Sequence, residues 1–205
     1  MSVAPNRDRQ AERREATRRE IVDAAWEIAR RDGLSAVTLR EVAAMIGMRS
    51  PSLYSHFDSK NAIYDAMFGQ AWTLFQAEAR EQHARLPEAP REGLLSIAAH
   101  FFDFAVADLA RYQLMNQRSI AGFVPSEVAY APSVEVMGML HHTMNRLGIT
   151  DSADIDLYMA VVGGLVDMQL ANDPGGDRWR RQLPRVVDMF ADEVTLPGPP
   201  LRRPS

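Results

Sequence analysis

Glycine and proline residues divide this chain into amphipathic runs of helical length. They interrupt it at positions 33, 47, 87–90, 122–125, 132, 148 and 173–176. Within the runs, apolar residues recur at three- and four-residue spacing, which places them on one helix face, as in the set Ile21, Ala24, Ala25, Ile28 and Ala29. The alternation of apolar and polar residues that marks a half-buried strand is missing. The sequence therefore predicts an all-α fold of about nine helices.

The same breaks give approximate limits for the helices and domains. The first helix is predicted at 12–31, two short helices follow between 38 and 60, and later helices are expected near 59–84, 91–109, 112–117, 133–147, 152–171 and 176–194. Residues 1–11 are polar and charged and residues 195–205 are rich in proline, so both are predicted to be disordered tails. The remainder divides into a three-helix, helix-turn-helix domain at 12–60 and a larger helical domain at 61–194.

Composition excludes several classes of protein. The 205 residues include no cysteine, which excludes disulfides, thiolate nucleophiles and cysteine-based metal centres. No run of 18 apolar residues and no signal-peptide pattern occurs, so we expect a cytoplasmic chain that does not span a membrane. The formal net charge of -4 is unevenly placed, because residues 1–60 carry 11 Lys and Arg against 9 Asp and Glu, or +2, and the remainder carries -6. The charge thus divides the chain into two regions.

Residues 38–60 carry the signals of two short helices joined by a tight turn. Thr38 and Glu41 form an S/T-x-x-E capping box, so a helix is expected to start directly after Thr38. Gly47 permits the positive φ that ends this helix and turns the chain. Ser50 as N-cap and Pro51 at the first helical position then open a third helix. The apolar residues expected to anchor the two helices inward are Val42, Ala43, Ile46, Leu53 and Phe57.

The outer face of the third helix is predicted to be functional. A helix of about one and a half turns is not stable alone and must be held by the two helices before it, which leaves its other face exposed. That face carries hydrogen-bond donors with little apolar surface, namely Arg49, Ser50, Ser52, Tyr54, Ser55 and His56. Such groups suit the phosphates and base edges of DNA.

The segment resembles the TetR-type repressors, whose DNA-binding region ends in a Leu-Tyr-x-His-Phe-x-x-Lys pattern. Here the pattern reads Leu53-Tyr54-Ser55-His56-Phe57-Asp58-Ser59-Lys60. The resemblance covers roughly residues 18–67, with the landmarks Gly33, Thr38, Ala43, Gly47, Tyr54, Phe57 and Lys60. It implies an N-terminal DNA-binding domain followed by a helical ligand-binding and dimerisation domain.

The resemblance implies two kinds of DNA contact. Phosphate contacts would come from Thr38, Tyr54, His56 and Lys60, and base-edge contacts from Arg40, Arg49, Ser50 and Ser52, with Pro51 against a thymine methyl. Taken singly, each residue has another interpretation: Tyr54 as a packing residue, His56 as a surface or capping residue, and the arginines as solvated side chains. Two interpretations also apply to the arginines at 7, 9, 13, 14, 18 and 19. They either contact adjacent phosphates or the minor groove, or belong to a solvated tail.

The resemblance further implies a homodimeric repressor. We expect no enzyme, cofactor or metal, because the sequence shows no nucleophile-base pair and no phosphate-binding loop. The repressor would bind a palindromic double-stranded operator and leave it when a small apolar or amphipathic effector binds the C-terminal domain, with the fourth helix transmitting the change from the pocket to Lys60. The candidate pocket residues are rich in rings and methionine: Trp72, Phe75, Phe101, Phe104, Tyr112, Met115, Phe123, Tyr130, Met137, Leu140, His141 and Met144. Core packing is the alternative interpretation for most of them.

The last two helices are the candidates for a dimer interface. Gly163 and Gly164 lower helix propensity, which is accounted for if another helix backbone approaches closely. The residues expected in a four-helix bundle between two copies are Leu157, Val161, Gly164, Leu165, Met168, Leu183, Val187 and Phe190. Packing within one chain is equally compatible with this pattern.

Three other interpretations are open. Asp103 and Asp167 are either buried carboxylates for a cationic ligand or residues of exposed helix faces. His100, His141 and His142 with Asp103 carry side chains that zinc accepts, which allows an all-helical metal-binding protein or enzyme. The third is a DNA-binding protein without ligand control, whose helical body serves only for dimerisation.

Overall fold

The computed structural model describes residues 5–202, and side chains from residue 9 onward. This part of the chain contains nine α-helices, two 3₁₀ turns at Leu34–Ala36 and Arg180–Gln182, and no strand. The helices are α1 Pro5–Asp32, α2 Leu39–Met45, α3 Ser50–Leu53, α4 Lys60–His83, α5 Pro90–Val106, α6 Leu109–Asn116, α7 Glu127–Arg146, α8 Ser152–Asn172 and α9 Leu183–Glu193. No single one of these helices is both long and apolar enough to cross a membrane. The all-α prediction with about nine helices is confirmed.

The chain forms two compact units. The first unit contains the described residues up to Ala71 together with Ala110–Tyr130, and the second contains Trp72–Leu109 together with the residues from Ala131 onward. Helices α4 and α7 each contribute residues to both units. The sequence-based domain boundary after Lys60 coincides with the start of α4, whereas the first unit continues along this helix to Ala71.

The first unit has a core in which α1 supports the short helices. Fully buried residues come from α1, α2, α3 and α4, and include Ile21, Ala25, Val42, Leu53, Ile63, Tyr64 and Met67. The Tyr64 hydroxyl donates to the Leu34 carbonyl oxygen at 2.5 Å, so the aromatic residue of α4 also holds the turn that follows α1. This core fixes the positions of α2 and α3, which are too short to be stable alone.

Helix α1 begins earlier than the sequence indicated. It starts at Pro5 rather than near residue 12, so most of the predicted N-terminal tail is helical. Proline is well suited to a first helical turn because its φ is already helical and its missing N–H would be unpaired there. The following residues include arginine, glutamine, alanine and glutamate, which are strong helix formers. Residues 1–4 and the side chain of Arg7 lie outside the described part.

Helix α7 also begins earlier than predicted, because Pro132 lies inside it rather than before it. The Ser126 hydroxyl accepts from the Ala129 N–H at 3.2 Å and caps the helix start. Pro132 cannot donate to the Val128 carbonyl oxygen four residues earlier. Val128 is 85% exposed, however, so water can satisfy that oxygen and the helix continues.

In the second unit a buried ion pair joins α5 to α9. Arg91 Nη1 donates to Asp188 Oδ1 at 3.2 Å, and Arg91 Nη2 donates to Asp192 Oδ1 at 2.5 Å and to the Leu196 carbonyl oxygen at 3.2 Å. Hydrogen bonds to Asp192 and Asp188 raise the pKa of Arg91. The Leu201 N–H donates to both Asp188 oxygens, at 3.1 and 3.0 Å. The segment 195–202 is therefore attached to the unit at Leu196 and Leu201, whereas the sequence predicted a disordered tail; residues 203–205 lie outside the described part.

The last helix starts later than predicted. It begins at Leu183 instead of near residue 176, with Pro184 in its first turn. The chain before it is fixed by Gln169, whose Oε1 accepts from the Trp179 N–H at 3.0 Å. Because proline is placed best in a first helical turn, it sets the helix start at this position.

Candidate nucleic-acid interface

The start of α2 follows from the predicted cap. Thr38 has extended backbone, with φ -133° and ψ 153°, and its Oγ1 accepts from the Glu41 N–H at 3.1 Å. This half of the capping box is confirmed. The Glu41 carboxylate does not reach back to Thr38, since its Oε1 lies 3.5 Å from Arg40 Nη2. The pair is exposed, so it holds Arg40 only weakly.

The turn between α2 and α3 depends on Gly47, as predicted. Its φ is +66°, a conformation that side chains disfavour. The Met48 N–H donates to the Ala43 carbonyl oxygen at 2.8 Å and the Gly47 N–H to that of Ala44 at 3.3 Å. These two bonds form a Schellman motif, which satisfies carbonyl groups at the end of α2 and redirects the chain into α3.

Helix α3 is a single turn that continues as turns to His56. Its first residue is Ser50, so Arg49 occupies the cap position and gives no side-chain cap bond. The predicted N-cap was Ser50, one residue later; a difference of one residue is common at helix ends. Pro51 lies in the first turn, and Leu53 and Phe57 are buried, as predicted.

Two arginines of α1 hold the end of the third-helix segment, a role that was not predicted from the sequence. Arg14 Nη2 donates to the Ser55 carbonyl oxygen at 3.1 Å, and Arg18 Nη1 donates to that of His56. The Arg18 guanidinium also lies 4.1 Å from the centroid of the Phe57 ring. Cations are favourable at a helix C-terminus because its last carbonyl groups are unpaired. Their spacing could have indicated this role. Arg14 and Arg18 lie on the same face of α1 as the buried residues Ile21 and Ala25 and extend that face toward the N-terminus.

The ten residues predicted to contact DNA all lie between Thr38, the N-cap of α2, and Lys60, the first residue of α4. The Arg40 side chain is 86% exposed and Tyr54 is 54% exposed. Tyr54 is therefore not a core residue, which removes its packing interpretation. The other exposed members are Arg49, Pro51, Ser52 and Ser55, and the half-buried members are Thr38, Ser50, His56 and Lys60.

Lys60 has a structural contact in addition to its predicted role. It is the first residue of α4, whose start is capped by the Ser59 hydroxyl accepting from the Ala62 N–H at 3.1 Å. Lys60 Nζ donates to the Ser35 carbonyl oxygen at 3.1 Å and lies 5.1 Å from the Tyr64 ring centroid. An ammonium group has three N–H donors, so this contact leaves donors for a further acceptor.

The predicted pocket residues are divided between the two units. In the second unit Phe75 is the centre of a ring cluster, with centroid distances of 6.0 Å to Trp72, 6.0 Å to Phe101 and 4.7 Å to Phe104. His100 also stacks on Phe75, at 5.4 Å and an interplanar angle of 14°. Burial lowers the pKa of His100, so its ring is neutral at pH 7. Of the remaining members in this unit, Met144 is fully buried, and Met137, Leu140 and His141 are half-buried.

The other four pocket candidates belong to the first unit. Phe123 lies 5.7 Å from Tyr64 between ring centroids, and Tyr130 stacks on Phe68 at 6.2 Å. Tyr112 is buried and Met115 is half-buried. Asp65 of α4 accepts twice from Ser126, from its N–H at 2.6 Å and its hydroxyl at 2.7 Å. The segment between α6 and α7 is thus tied to the first turns of α4.

The predicted dimer residues fall into an exposed and a buried group. Leu157, Gly164 and Met168 are exposed along α8, and Val161 is half-buried. A Cβ atom added to Gly164 would meet nothing within 4 Å. The buried group contains Leu165, Leu183, Val187 and Phe190, and packing within one chain accounts for its burial.

The residues of the alternative acidic and metal sites do not form a ligand site in the second unit. Asp103 forms two hydrogen bonds with Arg180, at 2.6 and 2.7 Å, and both side chains are about half exposed. Asp167 is exposed on α8. Within residues 5–202, no group of three or more His, Asp or Glu side chains is placed to hold a metal ion. The reading of Asp103 and Asp167 as residues of exposed helix faces is the correct one.

Comparison with known proteins finds relatives of the N-terminal half of the chain. Residues 21–67 match the model of the bacterial regulatory proteins of the tetR family. The chain is 33% identical over 98 residues to the uncharacterised HTH-type transcriptional regulator YobS of Bacillus subtilis, and 30% identical over 108 residues to the class G tetracycline repressor protein of Vibrio anguillarum. Residues 21–67 thus match the tetR family. These alignments cover 47% and 52% of this chain and 50% and 47% of the two relatives, so the chain spans about half the length of these relatives.

A likeness in fold to solved structures extends over most of the chain. The crystal structure of the transcriptional regulator FadR from Bacillus subtilis, in complex with stearoyl-CoA, has a TM-score of 0.61, covering 83% of this chain and 96% of that one. The sequence identity is 15%, so the likeness concerns the fold. The N-terminal helix-turn-helix followed by a helical C-terminal part is therefore confirmed as the fold class.

Proposed function

We propose that this tetR-family chain is a dimeric transcriptional repressor that binds a palindromic operator through α3 and leaves it when a small effector binds the C-terminal part. The observation that carries the proposal is the outer face of residues 38–60. It presents arginine, serine and tyrosine donors to solvent while its inner face is anchored by Leu53 and Phe57. A rigidly held helix with free donors is what base and phosphate contacts require.

The proposed contacts divide by chemistry. Arg40 and Arg49 can each take a guanine edge through two N–H groups, and Ser50 and Ser52 can adapt to several bases. Thr38, Tyr54, Ser55, His56 and Lys60 would set the register by contacting phosphates, and Pro51 would contact a thymine methyl. In a dimer, two such faces would enter successive major grooves of the operator.

The DNA-binding part of the proposal is tested by enrichment of bound sequences from a random duplex pool. We expect wild-type protein to enrich a palindrome. Arg40→Ala is expected to relax base preference at one position of each half-site, a loss of about 1–3 kcal/mol of discrimination. Arg185→Ala, which removes an exposed arginine of α9, is the matched control and should leave the palindrome unchanged. Failure of the wild-type protein to enrich any sequence would contradict the proposal.

The variant Tyr54→Phe tests whether Tyr54 contacts a phosphate rather than a base. This variant removes only the exposed hydroxyl, so we expect weaker binding to all duplexes with the same preferred sequence. Affinities measured by fluorescence anisotropy on the enriched palindrome and on a scrambled duplex distinguish the two effects. A change of preference without a uniform loss would contradict the assignment of Tyr54.

Ligand control is supported by the ring cluster around Phe75. Apolar side chains with a few polar atoms are typical of small-molecule sites, and FadR, which shares the fold, is crystallised with stearoyl-CoA. Helix α4 carries both Lys60 at its first residue and Phe75 further along, so a ligand that shifts α4 changes the DNA-binding face. Such a ligand must bind the DNA-incompetent state more tightly.

The ligand part is tested with a panel of apolar and amphipathic compounds, including fatty acyl-CoA. We expect at least one compound to raise the melting temperature and to lower operator affinity in the same concentration range. Phe75→Ala should abolish the response, whereas Phe190→Leu should retain it. A DNA-binding protein without ligand control would show no coupled response, and this outcome favours the second candidate function, in which the helical body only dimerises.

The dimer is supported by the exposed stripe of α8. Leu157, Val161, Gly164 and Met168 recur at helical spacing on one face, and the open space around Gly164 permits a second helix to approach. Gly164→Arg is expected to give monomers in sedimentation velocity. Gly138→Arg is the matched control, since Gly138 is also helical, exposed and free of contacts at its Cβ position. Dimers that persist in Gly164→Arg would place the interface elsewhere.

A further inference from the structure

A groove lies beside the proposed DNA-binding face, between α1 and the end of the third-helix segment. It has a volume of about 330 Å³ and is lined by Gln10, Arg13, Arg14, Thr17, Ser55 and His56. The four α1 residues are spaced i, i+3, i+4 and i+7, which places them on one helix face. All six lining residues belong to the first compact unit, which also contains α3.

The lining has the chemistry of an anion site. It holds two guanidinium groups and no carboxylate. Arg14 uses one nitrogen to bond the Ser55 carbonyl oxygen at 3.1 Å, which leaves most of its five N–H donors available. The Arg13 side chain forms no hydrogen bond or ion pair with another residue of the described part. His56 Nδ1 is buried and has no hydrogen-bond partner there.

An unpaired polar atom of this kind is costly unless a ligand supplies the partner. A phosphate oxygen can accept from an imidazole N–H and from guanidinium groups at the same time. The position matters as well, because Ser55 and His56 are shared between the groove and the proposed DNA-binding face. An anion bound in the groove would thus lie next to the phosphates that the face itself contacts.

We infer that this groove binds a DNA backbone phosphate and extends the operator contact from α3 to α1, with Arg13 as the contact residue. The inference rests on the proposed DNA-binding function. It also resolves the two interpretations of the N-terminal arginines. Arg13 and Arg14 contact DNA or support the residues that do, whereas Arg19 is solvated. Nine residues separate Arg19 from Gln10, which places it roughly 180° around the helix from the groove.

The test is the salt dependence of binding by the full chain. Affinity for a fluorescein-labelled mixed-sequence duplex is measured by anisotropy between about 50 and 200 mM KCl. Arg13→Gln is expected to reduce the slope of log affinity against log salt by about 0.9 per chain, because one phosphate contact is lost. Arg13→Lys keeps the charge and should retain the slope. Arg19→Gln removes the same charge from the opposite face of α1 and is the matched control.

Each outcome decides the inference. A reduced slope in Arg13→Gln, with wild-type slopes in Arg13→Lys and Arg19→Gln, supports it. Equal slopes in Arg13→Gln and Arg19→Gln overturn it, since the groove then has no special role; this includes the case in which neither variant differs from wild type. Absence of salt-dependent DNA binding by the wild-type protein instead refutes the proposed function itself. Circular dichroism verifies that each variant remains helical.

Discussion

The two units are organised by different kinds of interaction. In the first unit, the ends of the short helix α2 are defined by contacts between residues close in sequence, such as Thr38 with Glu41 and Gly47 with Ala44. In the second unit, the buried polar contacts join distant segments. Arg91 and Asp188 are 97 residues apart, and the Tyr158 hydroxyl donates to the Leu94 carbonyl oxygen, 64 residues away, at 2.6 Å. Burial raises the pKa of Tyr158, so this hydroxyl remains a donor at all physiological pH values.

The difference matches what each unit is proposed to do. A DNA-reading helix must keep its outer donors free, so its position is set by caps, a glycine turn and an apolar inner face. A body that holds a ligand and a partner helix can use its polar groups internally. Loss of a distant contact should therefore affect the second unit most, and loss of a cap or turn should affect the first. Hydrogen exchange measured on peptides separates the two cases.

The largest effect is expected for Arg91→Met. The variant leaves the Asp188 carboxylate buried without its cation, which lowers the free energy of unfolding by about 3 kcal/mol. Urea denaturation measures this loss. Exchange should accelerate in peptides from α5 and α9, with little change in those from α2 and α3.

A double variant makes this prediction specific to charge. Arg91→Met with Asp188→Leu removes both charges, so most of the lost stability should return. If the double variant is as unstable as Arg91→Met, the role of Arg91 is packing rather than charge compensation. If exchange accelerates equally in both units, the contrast between them is wrong.

Gly47→Ala is expected to have the largest effect on the first unit. A Cβ atom there meets nothing within 4 Å, so the cost is only conformational and amounts to about 1–2 kcal/mol. Exchange should accelerate in peptides covering α2 and α3, and DNA affinity should fall. The control is Gly138→Ala, also without contacts at Cβ but inside α7, which should stabilise by about 0.5–1 kcal/mol. Destabilisation by both variants would show that the positive φ of Gly47 is not the cause.

The same contrast explains how far the sequence predicted the structure. Cap, turn and inner-face residues of α2 and α3 were predictable because their signals lie within a few positions of each other. Arg91 was not, because nothing near it in sequence marks Asp188 as its partner. Pro132 predicts a helix break, but its effect depends on whether water reaches the Val128 carbonyl oxygen. The proposed DNA-contact residues follow from local pattern and resemblance, whereas the groove beside Arg13 depends on how α1 packs against Ser55 and His56, residues that are distant in sequence.

A smaller effect is expected for Thr38→Ala. Loss of the hydroxyl leaves the Glu41 N–H without its cap and costs about 1 kcal/mol. Exchange of the first α2 amides should accelerate. Thr38→Ser keeps an oxygen at the cap and should retain wild-type exchange, which separates capping from loss of the methyl group. Accelerated exchange in Thr38→Ser would mean that the methyl group, rather than the cap, holds the start of α2.

The smallest effect is expected at a motif that occurs in both units, the hydrogen-bonded C-terminal end of a helix. Helix α9 ends as α2 does, with the Leu196 N–H donating to the Ala191 carbonyl oxygen at 2.8 Å and the Thr195 N–H to that of Asp192 at 3.2 Å. Here the residue with positive φ is Thr195, at 57°, where α2 has glycine. Leu196 is buried beside it, so the motif fixes the chain that follows α9.

Thr195→Gly is therefore expected to stabilise the second unit. Relief of the left-handed conformation gains about 1–2 kcal/mol, and the greater freedom of glycine in the unfolded chain offsets about 0.4–1 kcal/mol of it. The net gain of about 0.5 kcal/mol should be measurable as a higher urea midpoint. Thr195→Ala keeps a Cβ atom and should leave the midpoint nearly unchanged. A lower midpoint for Thr195→Gly would mean that the threonine side chain makes a stabilising contact that outweighs its backbone strain. The C-terminal ends of α2 and α9 would then differ in side-chain packing as well as in the residue that adopts a positive φ.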